Sequence, residues 1–148
     1  MSVVVVVVGD GDGDGDACLP DLSLISSGDG GRHGSIMLSF QKLDVYQRAV
    51  EFLALTAEVV PDVPRGHGPL VDQLRRAATS IPLNIAEAAG RTGKADAARG
   101  YAIARGSAME CAAILDALAV LKLIDRGSHE RGVALLERIV AMLTKLCR

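Results

Sequence analysis

Residues 73–87 read Gln73-Leu74-Arg75-Arg76-Ala77-Ala78-Thr79-Ser80-Ile81-Pro82-Leu83-Asn84-Ile85-Ala86-Glu87. Extended by one residue to Ala88, the stretch places Leu74, Ala78, Ile81, Ile85 and Ala88 three or four positions apart. That spacing lines one face of a helix. Beside this stripe runs a polar one, formed by Gln73, Ser80, Asn84, Glu87 and Arg91. Pro82 lies inside the pattern; it removes one backbone donor and predicts an interruption of the helix with a kink near Ala78–Pro82. Thr79 and Ser80 are positioned to satisfy part of the freed backbone. The segment runs from about Leu70 to Ala89, and Gly90 and Gly93 mark its exit.

Three more helical segments surround it. Upstream, from about Gln41 to Val60, the residues Leu43, Tyr46, Val50, Leu53, Ala57 and Val60 form a seam suited to a bundle. Ser39 is the candidate N-cap, and Pro61 and Pro64 end the segment. Downstream, from about Lys94 to Ile124, Ile103, Ser107, Cys111, Ile114, Leu118 and Leu121 share a face. Ser107 with Ala104 and Gly106 makes this part narrow, so a neighbouring backbone is expected to come close. Asp125-Arg126-Gly127 reads as a turn with Ser128 as the next N-cap. The last segment, His129 to Leu146, carries Val133, Leu136, Ile139 or Val140, Leu143 and Leu146 as its stripe. Short connections make sequential helices antiparallel. The expected fold is all-α: an antiparallel up-down four-helix bundle over residues 38–148.

Composition agrees. The chain has 148 residues, hydrophobic content of 49%, aromatic content of 3% and no Trp. Its apolar residues are mainly Ala, Leu, Ile and Val, which suit packed helices better than an aromatic-rich sheet. No stretch reaches the length of apolar sequence needed to span a membrane, so no membrane partner is expected. Cys18, Cys111 and Cys147 lie far apart and suggest neither a disulfide framework nor a zinc site. A reducing cytoplasm is the expected location.

Residues 1–37 have a different character. Val3 to Val8 precede a Gly-Asp repeat from Gly9 to Asp16, and the segment holds six acidic residues against Arg32 alone. From Leu38 onward the balance is 15 basic to 12 acidic, a net +3. The acidic extension is expected to be disordered, because it lacks enough apolar surface to offset its ordering entropy. Asp10, Asp12, Asp14 and Gly15 match the first half of a calcium loop. Asp21 stands where that loop needs a bidentate Glu, Pro20 precedes it and no helices flank it, so a low-complexity repeat is preferred. Met37-Leu38-Ser39-Phe40 directly precedes the first helical pattern and reads as a natural start, an alternative in which the extension is absent from the native protein.

Catalytic signals are sparse. A di-iron bundle needs Glu-x-x-His on two helices, but Gly30, Pro64 and Arg126 stand three before His33, His67 and His129. The three histidines read as plain surface residues, and Cys111 on an apolar face reads as a core residue. No metal, cofactor or catalytic residue is expected, and the chain is not expected to be an enzyme. The candidate phosphate contacts are Arg75, Arg76, Arg91, Lys94, Arg99 and Arg105. Between Arg75 and Arg105 these six cations face only Glu87 and Asp96. The competing reading is structural: Ser80, Asn84, Glu87, Ser107 and Glu110 form a polar network that sets the register of the second and third helices.

Three blocks of sequence carry a family resemblance. They are Phe40-Gln41-Lys42-Leu43-Asp44-Val45-Tyr46-Gln47-Arg48-Ala49, the stretch from Gln73 to Glu87, and Tyr101-Ala102-Ile103-Ala104-Arg105-Gly106-Ser107 with Glu110. Together they resemble the small four-helix bundle family of proteins encoded in 23S ribosomal RNA intervening sequences. The accessory variability determinants of diversity-generating retroelements are its relatives. The chain departs where the family usually has Gly after the Ala-Glu pair, having Ala88-Ala89 before Gly90. Residues 1–37 have no counterpart. The resemblance implies a homopentamer, a barrel of five bundles, and association with RNA or DNA and with a reverse transcriptase through a positive surface. Assembly would multiply the +3 of each bundle. A protein-interaction module without nucleic acid is the alternative.

Overall fold

The computed structural model describes residues 38–148. The expectations for residues 1–37, the calcium-loop reading included, lie outside the described residues. Four helices follow in order: α1 (Asp44–Val59), α2 (Gly68–Ala89), α3 (Lys94–Val120) and α4 (Arg126–Leu146). The described residues contain no strand. Each helix packs against the next, and α4 closes the ring on α1.

Contacts across the helix seams give their direction. As α2 descends from Ala88 through Ser80 to Gln73, its partners on α3 climb from Gly100 through Ser107 to Glu110. Gly132 of α4 faces Leu115 of α3 and Leu55 of α1, while Asp116 meets His129 and Glu58 meets Arg131. Numbers rise on one helix as they fall on its neighbour, which makes the bundle antiparallel and up-down.

Local chemistry sets the ends. Ser39 opens a short 3-10 turn, Ser39–Lys42, and does not cap α1. The Gln41 side chain accepts the Leu38 N–H at 2.8 Å there, and the α-helix begins later, at Asp44. Pro61 ends α1 in a second 3-10 turn, Val60–Asp62. Pro69 sits in the first turn of α2, where its missing N–H breaks no bond. The cap of α4 is Asp125, ahead of the expected Ser128: its carboxylate accepts the Ser128 N–H at 2.9 Å and the Ser128 hydroxyl. These bonds hold the Asp125 carboxyl below its ordinary range.

The stripe read for α2 is the one buried, with Leu74, Ala78, Ile81, Ile85 and Ala88 all in the core. The helix continues through buried Pro82 rather than being interrupted. Thr79 donates to the Arg75 carbonyl at 2.8 Å, not to the Ala78 carbonyl that proline leaves without its usual partner. In α1 the buried row is Val45, Ala49, Phe52, Thr56 and Val59 with Leu55 beside it, one step from the expected seam, of which Val60 alone is buried. Both rows have bundle spacing, but Phe52 is the largest wholly apolar side chain available and its row takes the core. Leu43, Tyr46, Val50 and Leu53 flank it half-buried, and Ala57 is exposed. In α4 the core takes Ile139 over Val140, and Leu146 lies outside.

Candidate functional site

α3 keeps only part of its expected face in the core, namely Cys111, Ile114 and Leu118. Its buried residues are Ala104, Ala108, Cys111, Ile114, Leu115 and Leu118. Ile103 and Leu121, expected inside, are 51% and 53% exposed, and Ser107 is half-buried. Ala95, Gly106, Met109, Ala113 and Val120 add further small or apolar residues to the solvent side. Such even apolarity belongs to a helix covered on more than one face. The close approach also lies elsewhere than expected. Gly106 faces open space, whereas a Cβ built on Gly100 would stand 2.8 Å from the Ala88 Cβ. Gly100 and Ala88 together let α2 and α3 nearly touch.

Inside this seam lies a directed polar chain. The Asn84 amide donates to the Ser80 carbonyl at 2.8 Å and to the Ser80 hydroxyl at 2.9 Å. The Ser80 and Ser107 hydroxyls are 2.9 Å apart, and Ser107 reaches the Ile103 carbonyl at 3.3 Å. Since the Ser107 proton goes to that carbonyl, Ser80 is the donor between the two hydroxyls. Glu110 stands apart from this chain and accepts from Gln73 at 3.0 Å, a second tie between the same helices. Glu87 joins neither: it pairs with Arg91, just past the end of α2.

On the outside, Leu83 of α2 is 64% exposed and lies level with Ile103 of α3. The two straddle the seam, with Gly106 open beside them. This arrangement inverts the usual order, placing hydroxyls and an amide within the seam and large aliphatic side chains on the surface.

The six cations do not converge. Arg75 lies 3.9 Å from Asp72, and Arg91 pairs with Glu87. Arg76, Lys94, Arg99 and Arg105 have no ion pair among the described residues. Adjacent positions on a helix diverge by about 100°, so Arg75 and Arg76 look in different directions. Lys94 and Arg99 gather with Arg91 near the α2–α3 turn.

Other groups lie elsewhere. The Cys111 thiol is fully buried, and burial followed by the nearby Glu110 charge pushes its pKa up to about 12. It is therefore a protonated core thiol at neutral pH. His129, read as plain surface, is half-buried and meets Asp116 of α3 at 2.8 Å. Sequence spacing gave no sign of that pair, because its two members belong to different helices. Gln73 was visible in the polar stripe, but its role as the partner of Glu110 emerges only from the register.

The profile of the 23S rRNA-intervening sequence protein family matches residues 41–145, which spans all four helices. The chain belongs to that family. The 23S rRNA-intervening sequence bundle also resembles a solved structure, a protein of unknown function from the S23 ribosomal protein family of Bacteroides thetaiotaomicron. The TM-score is 0.65 at 24% identity, covering 70% of this chain and 98% of the other. This likeness is one of fold. No curated protein matches. Among the described residues, no helix is long and apolar enough to cross a membrane.

Proposed function

We propose that this 23S rRNA-intervening sequence protein is a non-enzymatic, self-associating bundle that serves as an RNA- or DNA-associated accessory protein in the cytoplasm. The observation that carries the reading is the inverted seam. Leu83 and Ile103 stand exposed and level across α2 and α3, beside open Gly106. A second copy laid on this face would cover the aliphatic side chains and use the absence of a side chain at Gly106 for close approach. A closed ring, such as the pentamer implied by the resemblance, would bring several mildly basic bundles together. Phosphate contacts too weak singly would then act in concert. A reverse transcriptase is the protein partner implied by the same resemblance.

A purely structural interaction module is the second reading. It is favoured by Arg75 and Arg91, whose charges are met by the nearby carboxylates of Asp72 and Glu87. The two readings separate by fluorescence anisotropy of the full chain with labelled RNA and DNA at low ionic strength. The accessory role predicts binding that weakens steeply as salt rises. Oligomers that ignore both nucleic acids would leave the interaction module.

A further inference from the structure

The up-down topology sorts charge in a way that the linear sequence conceals. One half of the bundle contains residues 38–51, 79–107 and 137–148: the start of α1, the α2–α3 turn with its flanks, and the end of α4. It holds nine basic side chains against five acidic ones, a net +4. The opposite half, residues 52–78 and 108–136, holds six basic against seven acidic, a net −1.

Internal pairing sharpens the contrast. In the positive half Arg48 is held by Asp44 and Glu51, and Arg91 by Glu87. Lys42, Lys94, Arg99, Arg105, Arg138, Lys145 and Arg148 have no ion pair among the described residues. In the other half, Arg75, Arg126 and Arg131 are paired with Asp72, Glu130 and Glu58, which leaves three cations, Arg65, Arg76 and Lys122, without an ion pair among the described residues against seven in the positive half. Helix macrodipoles cannot cause this asymmetry. Two N-termini and two C-termini lie at each end of an up-down bundle, and their partial charges cancel.

We infer that the end bearing the α2–α3 turn binds the sugar–phosphate backbone of RNA, and that Arg75 and Arg76, in the other half near the middle of α2, do not take part. This inference rests on the accessory role proposed above and assigns it a location. Lys42, Arg91, Lys94, Lys145 and Arg148 lie at helix ends or in a turn, with Arg105 and Arg138 near the middle of two different helices. They are not ranked along one exposed helix face as they would be to enter a DNA major groove, whereas RNA backbone and shape can be read without such a helix. In a cyclic assembly built on the α2–α3 face, every copy would present this end on the same rim.

The test compares two charge reversals in the full chain, each changing the charge by the same amount: Arg91→Glu/Lys94→Glu/Arg99→Glu, and Arg65→Glu/Arg75→Glu/Arg76→Glu. Binding of a fluorescein-labelled RNA hairpin, and of a DNA duplex of the same sequence, is followed by anisotropy across a salt series. Circular dichroism establishes that both variants fold. The first variant should lose at least about tenfold in RNA affinity, with a salt slope shallower by about two to three. The second should lose less than about threefold. Equal losses, or a larger loss from the second, would overturn the location while leaving the accessory role intact. Tighter binding of the DNA duplex would overturn the assignment to RNA. No binding by the unaltered chain at low salt would overturn the accessory role itself, and this inference with it.

Discussion

The seat of α4 and the seam between α2 and α3 are both close approaches, yet they are built in opposite ways. At the seat of α4, a Cβ on Gly132 would meet the hydrocarbon of Leu115, Leu55 and Phe52, and the polar pairs Asp116–His129 and Glu58–Arg131 lie outside that contact. At the α2–α3 seam, Gly100 meets Ala88, while Ser80, Asn84 and Ser107 are bonded nearby and Leu83 and Ile103 face outward. The first arrangement fulfils the needs of a lone bundle. The second leaves two aliphatic side chains at the surface beside a bonded polar seam, and the proposed contact between copies rests on that feature.

Mutations can sharpen that contrast. Phe52→Ala should cause the largest loss, about 3–5 kcal/mol in denaturant unfolding, because it empties the most tightly filled position beneath α4. Gly100→Ala should cost about 1–3 kcal/mol. Its new methyl would meet the Cβ and Cα of Ala88, atoms that move only if a helix moves. Gly132→Ala should cost less, although its methyl would come within 2.6 Å of Leu115 Cδ1. The end of a leucine can rotate away, and replacing helical glycine recovers up to about 1 kcal/mol. If Gly132→Ala proved the more damaging of the two, the seam between α2 and α3 would be the looser one. Smallest, and opposite in sign, is Gly106→Ala. With nothing nearby to strike, it should stabilise the isolated bundle by about 0.5–1 kcal/mol while weakening self-association, seen as a higher melting temperature and a shift toward monomer.

Much of this was legible in the sequence, and the rest was hidden for identifiable reasons. The α2 stripe could be read because only one row there is apolar; its neighbours are Arg75, Arg76, Thr79 and Ser80. In α1, Phe52 and Leu53 offer two adjacent rows, and only packing chooses between them. In α3, apolar residues occur on every side, so periodicity cannot say which are inside. Ile103 was therefore expected in the core, when its position outside is the informative fact. The candidate cations were visible as residues, but their division between the two halves of the bundle depends on antiparallel register. The pairs Gln73–Glu110 and Asp116–His129 depend on it as well.

The central claim is that Leu83 and Ile103 belong to a contact between copies. Sedimentation velocity of the full chain and of Leu83→Glu/Ile103→Glu tests it most directly. Both positions are exposed, so folding stability should change by less than about 0.5 kcal/mol. The unaltered chain should sediment as a discrete oligomer well above 15.4 kDa, and the double variant as a folded monomer. A monomeric parent, or an oligomer unchanged by the two glutamates, would contradict the account.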